Sequence, residues 1–163
     1  MKPRSPQLTL WLESGQPEPA ARWRDGAALA YLGGALTLRL DTDRKTAILD
    51  GSALHLPLPP AATQRQIQDG AEAWLRREAS RLLGASLERQ AQHLGRPKPC
   101  WALSFSARGG WALQHADGSL RFDWHLIEQP AVVIDQVVSH ALAALPLERL
   151  TATKDFWGMQ TAS

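Results

Sequence analysis

The sequence predicts an α+β fold: a twisted, mostly antiparallel sheet backed by one long helix over 63–94 and a second over 130–145. Three observations carry that expectation. Short apolar runs separated by glycine pairs or Asp-Gly steps recur between residues 27 and 56 and again between 101 and 126. The stretch 63–94 instead repeats its apolar residues at spacings of three and four, the helical period. The stretch 132–145 (VVIDQVVSHALAAL) is apolar along most of its length and lies between Pro130 and Pro146.

Residues 1–22 hold four prolines and little periodicity, which predicts a loosely held arm with one edge strand at LTLWL, 8–12. Residues 23–160 form the domain proper. ALAYL (27–31) and ALTLRLD (35–41) flank Gly33-Gly34, a hairpin signal because glycine accepts the positive φ of the favoured tight turns. TAIL (46–49) and ALHL (53–56) continue as short strands around Asp50-Gly51.

LPLPP (56–60) marks the change to helix. Thr63 followed by Gln66 fits a capping box, the hydroxyl accepting from a free backbone N–H and the glutamine reaching back. Behind it Ile67, Ala71, Trp74, Leu75, Leu82, Leu83, Leu87 and Leu94 form an apolar stripe for the core. Gly95, Pro97 and Pro99 end the helix. Three strands are expected next, at 101–107, 111–116 and 120–126, joined by Gly109-Gly110 and Asp117-Gly118. Pro130 suits the first turn of a helix, where its missing N–H costs nothing. That helix runs to about Leu145, and a last short helical piece is expected around Lys154–Met159.

At 163 residues the chain can bury a core without staples, and seven tryptophans add large apolar area. The single cysteine, Cys100, excludes an internal disulfide and suits a reducing cytosol. No run reaches the roughly 20 apolar residues of a membrane span, and QLTLWLESG is too short and too soon acidic for a signal peptide. The expected location is the cytoplasm. Net charge is only +2 although the pI is near 9. In the arginine-rich stretch 63–95, Arg65, Arg76, Arg77, Arg81 and Arg89 face Asp69, Glu72, Glu78 and Glu88. Such balance describes a solvated helix face, so nucleic-acid binding is not expected.

Within 132–145, His140, Ala141 and Ala144 fall where H-E-x-x-H would place a zinc ligand, a general base and a second ligand. Around it, several strings run in a familiar order. Tyr31-Leu32-Gly33 precedes a strand, Trp74-Leu75-Arg76-Arg77-Glu78-Ala79 echoes W-L-R-R-x-A, and Leu94-Gly95 follows. Trp111, Gly118, Phe122-Asp123-Trp124-His125-Leu126 and Pro130 follow in turn, and Phe156-Trp157 closes the series. In this the chain resembles the YgjP-like metal-dependent hydrolases, zinc metallopeptidase-like proteins related to the SprT-like group, from about Tyr31 to Trp157.

The resemblance implies a single zincin-like domain in which the helix over 130–145 is a former active-site helix. It also implies where site residues should stand. The family's V-x-H-E-L-A-H-L is here Val137-Val138-Ser139-His140-Ala141-Leu142-Ala143-Ala144-Leu145. Its N-H-S-x-x-F-W, whose histidine is the third zinc ligand, has Ala152 at that position. A strand reading R-W-G-S-C keeps only Trp111 among Gly110, Ala112, Leu113 and Gln114.

Catalytic zinc takes three protein ligands and an open position for water. One imidazole, His140, with Ala144 and Ala152 at the other ligand positions, does not supply them, and Ala141 cannot accept a proton. The expectation is a catalytically inactive relative without a cofactor, acting as a binding or regulatory protein for a peptide or protein partner. The alternative is a metal-dependent hydrolase with zinc on non-standard ligands: His140 with His125, Asp123 or His115, or with Glu148 or Asp155. Taken singly, His140 reads as a hydrogen-bonded, partly buried histidine sharing a face with Val133, Val137 and Ala144. His115 and His125 read as surface or groove positions, and Cys100 as a quiet thiol. A groove could be lined by Trp111, Asp123, Trp124 and His125, although both tryptophans read first as core.

Overall fold

A computed structural model of the chain describes residues 22–105 and 110–146. The strand expected at 8–12 and the helical piece around 154–159 lie outside the described residues. The fold is α+β, with two long helices and two small mixed sheets among the described residues. The described residues divide into two compact units, one reaching Ala30 and resuming over Ala35–Trp74, the other comprising Tyr31–Gly34 and the chain from Leu75 on.

The first sheet contains β1 (Ala28–Tyr31), β2 (Gly34–Leu40), β3 (Ile48–Asp50) and β4 (Ala53–Leu56), in the order β1-β2-β4-β3. The turn between β1 and β2 is Leu32-Gly33, at φ 47° and 82°, while Gly34 already opens β2. The expected turn therefore forms one residue earlier than Gly33-Gly34. Asp50-Gly51 joins β3 to its antiparallel neighbour β4 as expected.

The pairing of β2 with β4 is parallel, Leu38 opposite Leu54 and Leu40 opposite Leu56, which corrects the mostly antiparallel expectation. Burial explains the order. Leu38, Leu54 and Leu56 are fully buried and hold the centre, whereas β3, with Ile48 43% exposed, takes the edge. Each fully buried leucine is worth about 1.5–3 kcal/mol relative to exposure, enough to override the local preference for consecutive hairpins.

Helix α1 (Gln64–Leu94) opens on the expected capping box. The Thr63 N–H donates to Gln66 Oε1 at 2.9 Å and the Gln66 N–H to Thr63 Oγ1 at 3.2 Å. Its close is a Schellman arrangement: the Arg96 N–H donates to Ala91 O (2.9 Å) and the Gly95 N–H to Gln92 O (3.1 Å), with Gly95 at φ 67°. Ile67, Ala71 and Trp74 are buried in the first unit, and Leu75, Ala79, Leu83, Leu87 and Ala91 in the second. Leu94, expected in the stripe, is 36% exposed, because it is the last residue before the cap.

The second sheet has β5 (Trp101–Ser104), β6 (Ala112–Gln114) and β7 (Leu120–Asp123), ordered β5-β7-β6. Again the most apolar strand is central: Leu120 and Phe122 on β7 are buried, and β5 pairs with it in parallel, β6 antiparallel. Asp117-Gly118 makes the expected hairpin. β5 and β6 are not neighbours, as a hairpin at Gly109-Gly110 would require, because β7 lies between them; residues 106–109 are outside the described residues. The strand expected over 120–126 stops at Asp123, whose Oδ1 accepts the His125 N–H at 2.9 Å and so caps a 3-10 turn, Trp124–Glu128. Helix α2 (Ala131–Ala144) follows Pro130 and stops at Leu145. No helix among the described residues is long and apolar enough to cross a membrane.

Candidate functional site

The helix carrying His140 is α2, and neighbours within the second unit hold it at its start, middle and end. At the start, the turn before β2 docks on the chain leading into it. The Leu32 N–H donates to Ile127 O (2.7 Å) and the Gly33 N–H to Glu128 O (2.9 Å). Tyr31 Oη donates to Glu78 Oε2 at 2.8 Å, and Arg81 holds the same carboxylate at 2.8 and 3.0 Å. Burial, then the bond to Glu78, pushes the Tyr31 phenol up to about 12, so the hydroxyl stays a donor. Arg81, by hydrogen bonding, holds the Glu78 carboxyl below its ordinary value.

In the middle of α2, Asp135 accepts from the buried Ser86 hydroxyl and from Arg89 Nη2 at 3.0 Å, both on α1. At the end, Arg96 Nη1 donates to Leu142 O (2.7 Å) and Leu145 O (2.9 Å). Both carbonyls lie at the helix end, where intrahelical donors run out; Leu142 O also accepts the Leu145 N–H at 3.2 Å, and a cation there suits the helix dipole. Sequence reading missed this clamp. Arg96 stands just past a glycine terminus, and nothing in its neighbourhood announces a partner nearly fifty positions on.

The buried side of α2 is Ile134, Val138, Ala141 and Leu142. His140 lies off that stripe and is exposed, correcting the expectation of a partly buried histidine; Ala144, on the same side, is exposed too. Both line a cavity of about 570 Å³ whose other walls are Trp111, Ala112, Gln114, Leu120, Gln136, Val137 and Ala141. Trp111 is 40% exposed, so it belongs to the cavity wall and not to the core. Gln136 was not foreseen, although its place one turn before His140 puts it on the same face.

The remaining groove candidates lie elsewhere. Trp124 is buried, its ring 4.0 Å from that of His125 and 5.2 Å from the Arg76 guanidinium. Asp123 is buried as well, and its Oδ1 lies 2.8 Å from His125 Nδ1. With the carboxylate ionised, Nδ1 carries the proton. Asp123, Trp124 and His125 thus form a small self-satisfied cluster at the head of the 3-10 turn. His115 is half-buried, and Cys100 is exposed.

A zinc ion would need three donors on the cavity wall. Among the described residues lining it, His140 alone carries an imidazole, and beside it stand the methyl groups of Ala141 and Ala144. Among the described residues no three His, Cys, Asp or Glu side chains come together as a ligand set. The described residues do not supply a three-ligand set for the metal. Glu148, Ala152 and Asp155 lie outside the described residues, and alanine offers no lone pair in any position.

Compared with known proteins, residues 6–159 match the model of the YgjP-like family, metallopeptidase domain. No curated protein and no solved structure gives a match.

Proposed function

The chain belongs to the YgjP-like metallopeptidase family, and we propose that it is a catalytically inactive member, of zincin-like descent, that binds a peptide or protein partner in the groove beside Trp111. The observation that carries this reading is the cavity wall itself, where His140 stands with Ala141 and Ala144. A catalytic zinc lowers the pKa of its bound water and polarises the scissile carbonyl. With one imidazole there is too little to hold the ion, and with Ala141 there is no side chain to take the water's proton. General-base catalysis alone is worth about 10²–10⁴-fold.

The support around the site favours a binding role over decay. Arg96, Ser86, Arg89 and the Leu32-Gly33 turn still fix α2 at three levels, so the groove keeps its shape without its chemistry. β6 ends its sheet beside α2 and offers an edge to an extended chain. No cofactor is part of this reading, nucleic acid is not among the ligands, and one exposed free thiol suits the cytosol.

Hydrolysis of an unstructured protein such as casein, assayed with zinc supplied, tests the reading. The native chain and His140→Ala should both be indistinguishable from buffer. Zinc-dependent turnover abolished by His140→Ala would overturn it.

A further inference from the structure

The backbone register of β6 and the chemistry of the cavity together restrict the partner further. β6 is antiparallel to β7, with Leu113 opposite Arg121. The Asp123 N–H donates to Trp111 O (2.9 Å) and the His115 N–H to Ser119 O (2.9 Å). In an antiparallel ladder, residues that bond the neighbour alternate with residues whose N–H and C=O point away. Trp111, Leu113 and His115 face β7, so the backbone groups of Ala112 and Gln114 face the other edge. Among the described residues no strand pairs there.

Ala112 and Gln114 line the cavity, as does Leu120 on β7, which is level with Gln114, whereas Leu113 does not. A strand added along this edge alternates its own side chains between the two faces, and those level with Ala112 and Gln114 share their face. One side chain of such a peptide must therefore enter the cavity. There it meets the Trp111 indole and the methyls of Val137, Ala141 and Ala144, with polar groups supplied by Gln114, Gln136 and His140. No Asp, Glu, Lys or Arg lines the cavity among the described residues. A charged side chain would lose its water without gaining a counter-charge. An aromatic ring loses nothing and can pack on the indole.

We propose that the groove selects an extended peptide bearing an aromatic side chain, which pairs with the outer edge of β6 through Ala112 and Gln114 and seats its ring over Ala141 and Ala144 against Trp111. This rests on the binding role proposed above and names its ligand. In effect, an uncharged ring takes the ground that a dication and its carboxylate base would hold in a working peptidase.

The test is amide NMR of the full chain titrated with a short capped Thr/Ala peptide carrying one central Phe, beside versions with Asp or Lys in its place. The Phe peptide should shift the Ala112 and Gln114 amides and the Trp111 indole, and the charged versions should bind at least about ten-fold more weakly. Ala144→Trp, at an exposed helix position, should keep the fold and remove the preference. Equal binding of all three peptides at the same amides would overturn this inference and leave the binding role standing. Shifts confined to other surfaces, or no binding, would overturn it too. Zinc-dependent cleavage of the Phe peptide would overturn both this inference and the reading beneath it.

Discussion

A methyl group on Gly33 would lie 2.8 Å from Cγ of Pro130, closer than side chains approach one another, and Gly33 also holds φ at 82°. The turn before β2 and the residue that starts α2 are thus fitted backbone against ring. Gly33→Ala meets both penalties at once. It should destabilise the chain by about 2–4 kcal/mol, read as a lower urea midpoint with an unchanged slope.

Tyr31 is the only tyrosine, so tyrosinate absorbance reports its ionisation alone. The folded chain should titrate at about 12, and the urea-unfolded chain near the ordinary value of about 10. Because the folded value is raised, the stabilisation is complete below pH 10 and is lost as pH climbs through 12. Tyr31→Phe should cost about 1 kcal/mol at pH 8, and the gap should close at the alkaline end of that window. Glu78 runs the other way: its lowered carboxyl contributes above the ordinary glutamate range, and that contribution is lost as pH falls below it.

Arg96→Ala removes the guanidinium from the carbonyls of Leu142 and Leu145, and Leu142 O keeps just the Leu145 N–H. A loss of about 1–3 kcal/mol is expected, with faster hydrogen exchange concentrated in the last turn of α2. Arg96→Lys should recover only part of it, since an ammonium has the charge without the fixed fork.

Ala141 and Ala144 both line the cavity but differ in burial, Ala141 being 8% exposed and Ala144 open to solvent. Ala144→Leu should change stability by less than about 0.5 kcal/mol, whereas Ala141→Leu should cost about 1–3 kcal/mol through overpacking. Thermal unfolding of the two variants side by side checks the difference.

Where one local rule decides an element, the sequence was a sufficient guide. Thr63 and Gln66 announced the start of α1, Gly95 its end, Pro130 the start of α2, and Asp117-Gly118 a hairpin. Strand order followed another logic. The parallel pairs β2–β4 and β5–β7 arise because the strands with the most buried side chains occupy the centre of each sheet, a competition between distant segments that periodicity does not register. The exposure of His140 was missed for a related reason. On so apolar a helix as α2, several faces could serve as the buried one, and only its neighbours choose among them. Trp111 and Trp124 looked alike in the sequence and parted in the fold, one to the cavity wall and one to the core.

The central claim is that the zinc site is lost through its residues while the scaffold remains. Metal analysis of the purified native chain beside the triple variant Ala141→Glu, Ala144→His, Ala152→His tests it most directly. The native chain should carry no stoichiometric zinc and the variant about one ion per chain, the complement of one three-ligand site. Stoichiometric zinc in the native chain, lost on His140→Ala, would contradict the claim, and a variant that stays empty would contradict the placement of its ligands.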